Sequence, residues 1–311
     1  MRVRGFAVAS DTGRKRRRNE DAYVATPPVF AVADGMGGPR AGEVASGLAA
    51  GAVEVEPVGT DGEARVVELI REANRRVYER SAEDESVSGM GTTMTVAVVG
   101  GEGVAFGHVG DSRAYLARGG ALQQLTDDHS LVAELVRGGK LSPEEAEHHP
   151  QRSVITRALG TDPDVDVDAF TVTPEEGDVF LLCSDGLTTM VSDEAILRVL
   201  AEQSDLERAA RELVRLANRA GGEDNITVVT FAVTNDRDEA HALDQTTPMP
   251  AISDNEDTLD EDTLDESDAV PTVGGLAPVR EPAAGPPQRR WPFVVMAAIV
   301  IAAVVIWLLV R

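Results

Sequence analysis

The sequence predicts an α+β protein built on a central antiparallel β-sandwich flanked by helices on both sides. Two observations carry this. Short apolar, strand-like runs recur along the chain, bounded by Gly, Asp or Pro, and several neighbours are close enough to pair as hairpins. Between them lie long helical patterns whose apolar faces must be buried, and the outer faces of the sheets are the surfaces left to bury them on.

Taken in order, the strands are predicted at residues 6–10, 22–25, 29–33, 93–99, 104–109, 113–117, 179–183 and 227–233. The pairs 22–25 with 29–33, and 93–99 with 104–109, are separated by Pro- or Gly-containing turns and read as antiparallel hairpins. Helices are predicted at 41–53, 64–82, 130–137, 193–202 and 205–220. Ser130, Asp193 and Asp205 open three of them, where a Ser or Asp side chain can cap the first free backbone N–H groups.

The 53 acidic against 29 basic residues leave a net charge of −24, which argues against nucleic acid or an anionic membrane surface as the ligand of the soluble part. Much of that charge sits late in the chain. Cys183 is the only cysteine, so no intramolecular disulfide forms, which fits a reducing compartment. Its place in the apolar run 179–183 reads as a core thiol rather than a nucleophile.

The chain divides into three parts: a catalytic domain over 1–234, an acidic linker over 235–290 and a C-terminal transmembrane anchor over 291–311. The linker is rich in Asp, Glu, Thr and Pro with almost no aromatics, a composition that cannot bury enough apolar area to offset chain entropy, so disorder is expected. It repeats EDTLD in tandem, placing Thr258 and Thr263 among carboxylates. These read either as a solvated spacer or as phosphorylation sites for a phosphothreonine-binding domain. Residues 293–310 form an uncharged apolar run, as a helix about 27 Å long and enough to span a bilayer core. Arg289, Arg290 and Trp291 precede it, which predicts a single-pass protein of the cell membrane with the catalytic domain in the cytoplasm. The N-terminus has no apolar stretch long enough for a signal peptide.

The chemistry is concentrated in acidic motifs. DGMGG at 34–38 follows the apolar run 29–33 directly, and NED at 19–21, CSDG at 183–186 and EDN at 223–225 answer it. A carboxylate at a strand end followed by glycine can present its side chain and a bare carbonyl to one hard cation, which suits Mg²⁺ or Mn²⁺. Each Asp-Gly or Asp-Asn alone reads as a turn. Their joint pattern points to a site.

The ordered series RxxNED, DGMGGxxAGExAS, GMGTT, GDSRAY, LLCSDGL and GGEDNITVV resembles the metal-dependent serine/threonine protein phosphatases of the PPM (2C-type) family, in the bacterial membrane-anchored branch. The resemblance spans about residues 3–233 and implies an α/β/β/α architecture. It implies that Asp34 bridges two Mn²⁺ or Mg²⁺ ions, with the carbonyl of Gly35 on one ion and Asp185 and Asp224 on the other. Glu20 and Asp21 then hold metal-bound waters, and Arg16 binds substrate phosphate. Asp111 and Ser153 match a third metal position, against the alternative for Asp111 of a tight turn between strands. Residues 129–168 match the family's mobile flap. The implied reaction is hydrolysis of phosphoserine and phosphothreonine in proteins by a metal-activated water, opposing membrane-associated Ser/Thr kinases.

One departure stands out. Met36 occupies the middle of DGxGG, where many eukaryotic relatives carry a histidine proposed as general acid, so leaving-group protonation must fall to a metal-bound water or another residue. His129 is a candidate by elimination, against the plainer reading of a surface-loop histidine. His148 and His149 lack partners at metal-binding spacing. Two other readings compete: a catalytically dead phosphoprotein-binding scaffold, against which the intact acidic positions speak, and a phosphatase acting on an anti-sigma antagonist.

Overall fold

The computed structural model describes residues 1–37, 41–54, 62–101, 103–203 and 205–234, all inside the unit Met1–Pro248. The linker, the tandem EDTLD repeats, the anchor and Gly38 lie outside the described residues. Among the described residues no helix is long and apolar enough to cross a membrane.

In chain order the elements are β1 (Arg2–Asp11), β2 (Asp21–Thr26), β3 (Val29–Met36), α1 (Ala41–Val53), α2 (Glu63–Glu83), β4 (Gly91–Thr92), β5 (Met94–Val99), β6 (Val104–Val109), β7 (Arg113–Arg118) and β8 (Ala121–Gln124). There follow α3 (Leu131–Arg137), α4 (Pro143–Glu147), β9 (Asp168–Val172), β10 (Val179–Cys183), α5 (Asp185–Thr188), α6 (Asp193–Glu202), α7 (Leu206–Ala220) and β11 (Ile226–Thr234). One sheet runs β1-β11-β10-β7-β8 and the other β2-β3-β5-β6-β9, with β4 pairing off β3; the pairings are antiparallel.

The layers follow from the period of two in the strands. Along β3, Phe30 and Val32 enter the core between the sheets, while Val29, Ala31 and Ala33 face α1 and α2. The inter-sheet core is locked by aromatic stacking, with Phe30 and Phe231 centroids 4.3 Å apart and Phe180 and Phe231 5.1 Å apart. On the far side, Leu181, Cys183 and Val228 pack against Leu187, Ile196 and Leu213. The result is the expected helix, sheet, sheet, helix stack. Cys183 is fully buried in it, as the apolar run predicts.

The predicted strands and long helices are present, with ends shifted by a few residues. β3 continues through Asp34 and Gly35 because its backbone goes on pairing with β2 and β4. Five short elements, β4, β8, β9, α4 and α5, carried too little apolar periodicity to be predicted.

A candidate metal centre at one end of the sandwich

Asp34 shares the face of β3 that carries Phe30 and Val32, so alternation aims it between the sheets at the end of the sandwich. Its backbone is held on both sides. The Asp34 N–H donates to Thr93 Oγ1 at 2.9 Å, and its carbonyl accepts from the Thr93 N–H and the Thr92 hydroxyl at 2.9 and 2.8 Å. The GMGTT motif is therefore the cradle of the DGMGG carboxylate. Thr93 also reaches Ser112 Oγ at 2.8 Å, which ties Asp34 to the turn carrying Asp111.

Asp21 sits directly opposite Asp34 across the β2–β3 ladder. Its Oδ2 accepts from Ser184 Oγ at 2.7 Å. Asn225 supplies the clamp that brings the remote motifs together: its side-chain oxygen accepts from the Glu20 N–H at 2.8 Å, and its amide nitrogen donates to the carbonyls of Thr12 and Arg18 at 2.9 and 2.8 Å. Gly186 lies so close to the Asn225 carbonyl that any Cβ there would overlap it. Gly35 is pressed against Gly42 in the same way, and a Cβ on Gly42 would stand 2.6 Å from Glu20 Oε2.

Asp34, Asp21, Asp185 and Asp224 are each half-buried. Burial first, then the charges of Asp21, Asp185, Asp111 and Asp224, hold the Asp34 carboxyl well above the ordinary carboxylate range. Desolvation likewise pushes Asp21 and Asp185 up to about 6 and Asp111 up to about 7, with neighbouring carboxylates adding to each. Asp21 Oδ1 and Asp185 Oδ1 are buried without a hydrogen-bond partner. Unpaired acceptor oxygens and mutually repelling carboxylates are costly in a folded protein, and a hard divalent cation relieves both costs. The donor set, all oxygen, fits Mg²⁺ or Mn²⁺. Among the described residues no group of three or more His, Cys, Asp or Glu side chains is drawn together tightly enough to close around an ion as it stands. Asp224 shows why: its Oδ2 accepts from Arg16 at 2.7 Å and its Oδ1 from the Asn225 N–H at 2.8 Å.

Arg16 is the half-exposed cation of the rim. Burial works against its charge, but Asp224, then Glu20 and Asp34, outweigh that and raise its pKa. Glu20 is raised chiefly by burial, with Arg16 pulling the other way. Lys15 and Arg18 pair with Glu223 and Glu43 on the same rim.

Other predicted positions divide. Asp111 is buried beside the cluster. Ser153 is exposed in the turn after α4, and no hydrogen bond ties it to Asp111. His129 is not a surface-loop residue: it is buried, its Nδ1 accepts from the Gly110 N–H at 3.0 Å, and its Nε2 donates to Asp168 at 3.0 Å. With both ring nitrogens committed, it has no proton to offer the carboxylate cluster. Ser184, Thr92, Thr93 and Asn225 hold the site together, yet their roles were not readable from the sequence. Their one signal was membership of CSDG, GMGTT and EDN.

The sequence matches the protein phosphatase 2C family over residues 13–225. It is 41% identical over 260 residues to the serine/threonine protein phosphatase PstP of Mycobacterium tuberculosis, covering 82% of this chain and 49% of PstP, so the chain spans about half the length of that relative. It is 40% identical over 232 residues to the serine/threonine phosphatase stp of Listeria monocytogenes, covering 71% of this chain and 92% of that one. Among solved structures, the catalytic domain of PstP in complex with two manganese ions superposes with a TM-score of 0.68 at 38% identity, covering 76% of this chain and 100% of that one.

Proposed function

The chain belongs to the protein phosphatase 2C family, and from that premise we propose that it hydrolyses phosphoserine and phosphothreonine in proteins with the help of two divalent cations, Mn²⁺ or Mg²⁺. The observation that carries the reading is the convergence of Asp21, Asp34, Asp111, Asp185 and Asp224 from separate motifs, with Asp21, Asp34, Asp111 and Asp185 each influenced by at least one other of the five.

In this reading Asp34, the Gly35 carbonyl, Asp185 and Asp224 would hold the two cations, and Asp111 would serve a third. Bound there, the cations would acidify a water for attack on phosphorus and neutralise phosphate charge. The chain's own residues do the rest. Arg16 exchanges its contact with Asp224 for the substrate phosphate, whose oxygens match the guanidinium fork. Glu20 and Asp21 accept hydrogen bonds from water and fix its orientation, Asp21 being itself oriented by Ser184. Thr92 and Thr93 keep the Asp34 backbone from moving as charge changes around it. Met36 cannot donate a proton and His129 is committed elsewhere, so the departing serine or threonine oxygen takes its proton from solvent at the site.

The substrates are phosphorylated Ser/Thr proteins, Ser/Thr kinases among them, and a phosphothreonine-binding domain is a further partner through Thr258 and Thr263. The apolar run 293–310 and the arginines before it support the reading of an enzyme at the cell membrane with its catalytic domain in the cytoplasm. Hydrolysis of a phosphothreonine peptide by the purified full-length chain, with EDTA and then with added Mn²⁺, tests the chemistry. Turnover that ignores both, or binding of the peptide with no turnover in Mn²⁺, overturns it.

A further inference from the structure

Away from the carboxylates, the described residues leave one border of the sandwich open. β1 is the edge strand of its sheet, and a groove of about 460 Å³ runs beside it, lined by residues 1–6 with Pro27, Pro28 and Val99 of the opposite sheet. Its apolar wall belongs to the inter-sheet core: Met1 and Val3 pack against that core, and the Phe6 ring lies 5.7 Å from Phe30. Phe6 is nevertheless 46% exposed. Arg2 and Arg4, both exposed, place two positive charges on the lip of a groove in a protein whose net charge is −24.

The chain itself passes this place. In the β1–β11 ladder Thr234, the last described residue, is paired with Arg2, so the chain leaves the described structure at the groove's mouth. The next residues, 235–244, read NDRDEAHALD. They carry four acidic residues, Asp236, Asp238, Glu239 and Asp244, against the one cation Arg237, and Leu243 as an apolar side chain. At about 3.3 Å per extended residue, ten residues reach ~33 Å, more than enough to lie along the groove. We propose that residues 235–244 dock back onto this groove, their carboxylates toward Arg2 and Arg4 and Leu243 against Phe6. The docked segment covers the open border of the sandwich and makes the first turn of the linker part of the folded domain. Only the chain beyond it then acts as a free tether.

Both attractions are of a kind that can be switched off separately. Apolar burial against Phe6 is not screened by salt, whereas the arginine contacts are screened within a few ångströms at high ionic strength. The test is amide hydrogen exchange on the full-length chain in detergent, read over residues 235–244 and over β1. Exchange of 235–244 slowed about tenfold or more relative to the EDTLD region is the expected result. Arg4→Glu and Leu243→Asp should each return it toward the rate of unstructured chain while hydrolysis of p-nitrophenyl phosphate stays unchanged. Unprotected exchange in the unsubstituted chain overturns the proposal. So does protection that survives both substitutions, or protection that grows with protein concentration together with dimer formation, which would make a second copy the occupant.

Discussion

Arg16 and Asp224 are joined by a 2.7 Å ion pair across the mouth of the carboxylate cluster, so the cation proposed to receive substrate phosphate is held by a proposed metal ligand. The two roles are coupled. Anything that draws Asp224 inward frees Arg16 for the phosphate.

From this coupling, Arg16→Ala should raise KM for a phosphopeptide about tenfold or more, because a charge-assisted contact to phosphate is lost. It should also tighten Mn²⁺ binding, because Asp224 loses its competitor. Steady-state kinetics and calorimetric Mn²⁺ titration of the same variant check both halves. Weaker Mn²⁺ binding would show that Arg16 organises the site rather than competing with it.

Asp34→Asn should lower turnover at least about 100-fold, exceeding the effect usual for groups that merely orient ligands. In the metal-free protein the same change should raise thermal stability, since it removes the carboxylate burdened by burial and by Asp21, Asp185, Asp111 and Asp224. A melting curve in EDTA decides it. A lower melting temperature than that of the unsubstituted chain would contradict the account of repulsion in the cluster.

Ser184→Ala removes the donor to Asp21 Oδ2 and the acceptor of the buried Thr227 N–H, which is 2.9 Å away. An orphaned buried donor costs about 1–3 kcal/mol. Activity should fall about 10- to 100-fold, as for other loss of orienting contacts around a metal site. Denaturant unfolding together with kinetics separates the two effects, and Ser184→Thr should recover part of both.

Acid should destabilise the domain through His108. The ring is fully buried, with Nδ1 2.9 Å from Thr95 Oγ1 and Nε2 3.1 Å from the Asp127 carbonyl, and burial lowers its pKa to about 4. In the unfolded chain the ordinary value is about 6.5, so between those values the unfolded state binds the extra proton. The stabilisation is therefore complete above about pH 6.5 and is lost progressively down to about pH 4, by up to roughly 3 kcal/mol. The raised carboxylates of the cluster contribute the opposite slope over the same range, so the His108 share is read by difference: the gap in unfolding free energy between the unsubstituted chain and His108→Gln should shrink as pH falls from about 6.5 to about 4.

The sandwich and its long helices were legible because period-two and period-3.6 patterns report directly which faces are buried, as β3 and α7 show. The proposed ligands were legible too, since aspartates at strand ends stand out against apolar runs. What stayed hidden depends on contacts between distant segments. Asn225 gripping Thr12, Arg18 and Glu20 spans about two hundred residues of sequence, and nothing local to EDN announces it. His129 was misjudged for the same reason: a polar residue beside two aspartates looks like a loop until Gly110 and Asp168 are brought to its two nitrogens.

The region read from sequence as one flap, 129–168, turns out to have two unlike halves. Residues 131–154 leave and return through a narrow neck, where the Leu131 N–H donates to the Val154 carbonyl and the Thr156 N–H to the His129 carbonyl, both at 2.9 Å. Helix α3 within it buries none of its residues. The remainder is stitched into the domain, with Leu159 bridged to Thr92, and Asn74 donating to the Asp162 and Pro163 carbonyls. A neck of this kind makes the excursion a replaceable cassette. Descendants of this chain could lengthen, shorten or rewrite 131–154, and under the proposed function so alter the choice of substrate, while selection on the carboxylate cluster continued undisturbed.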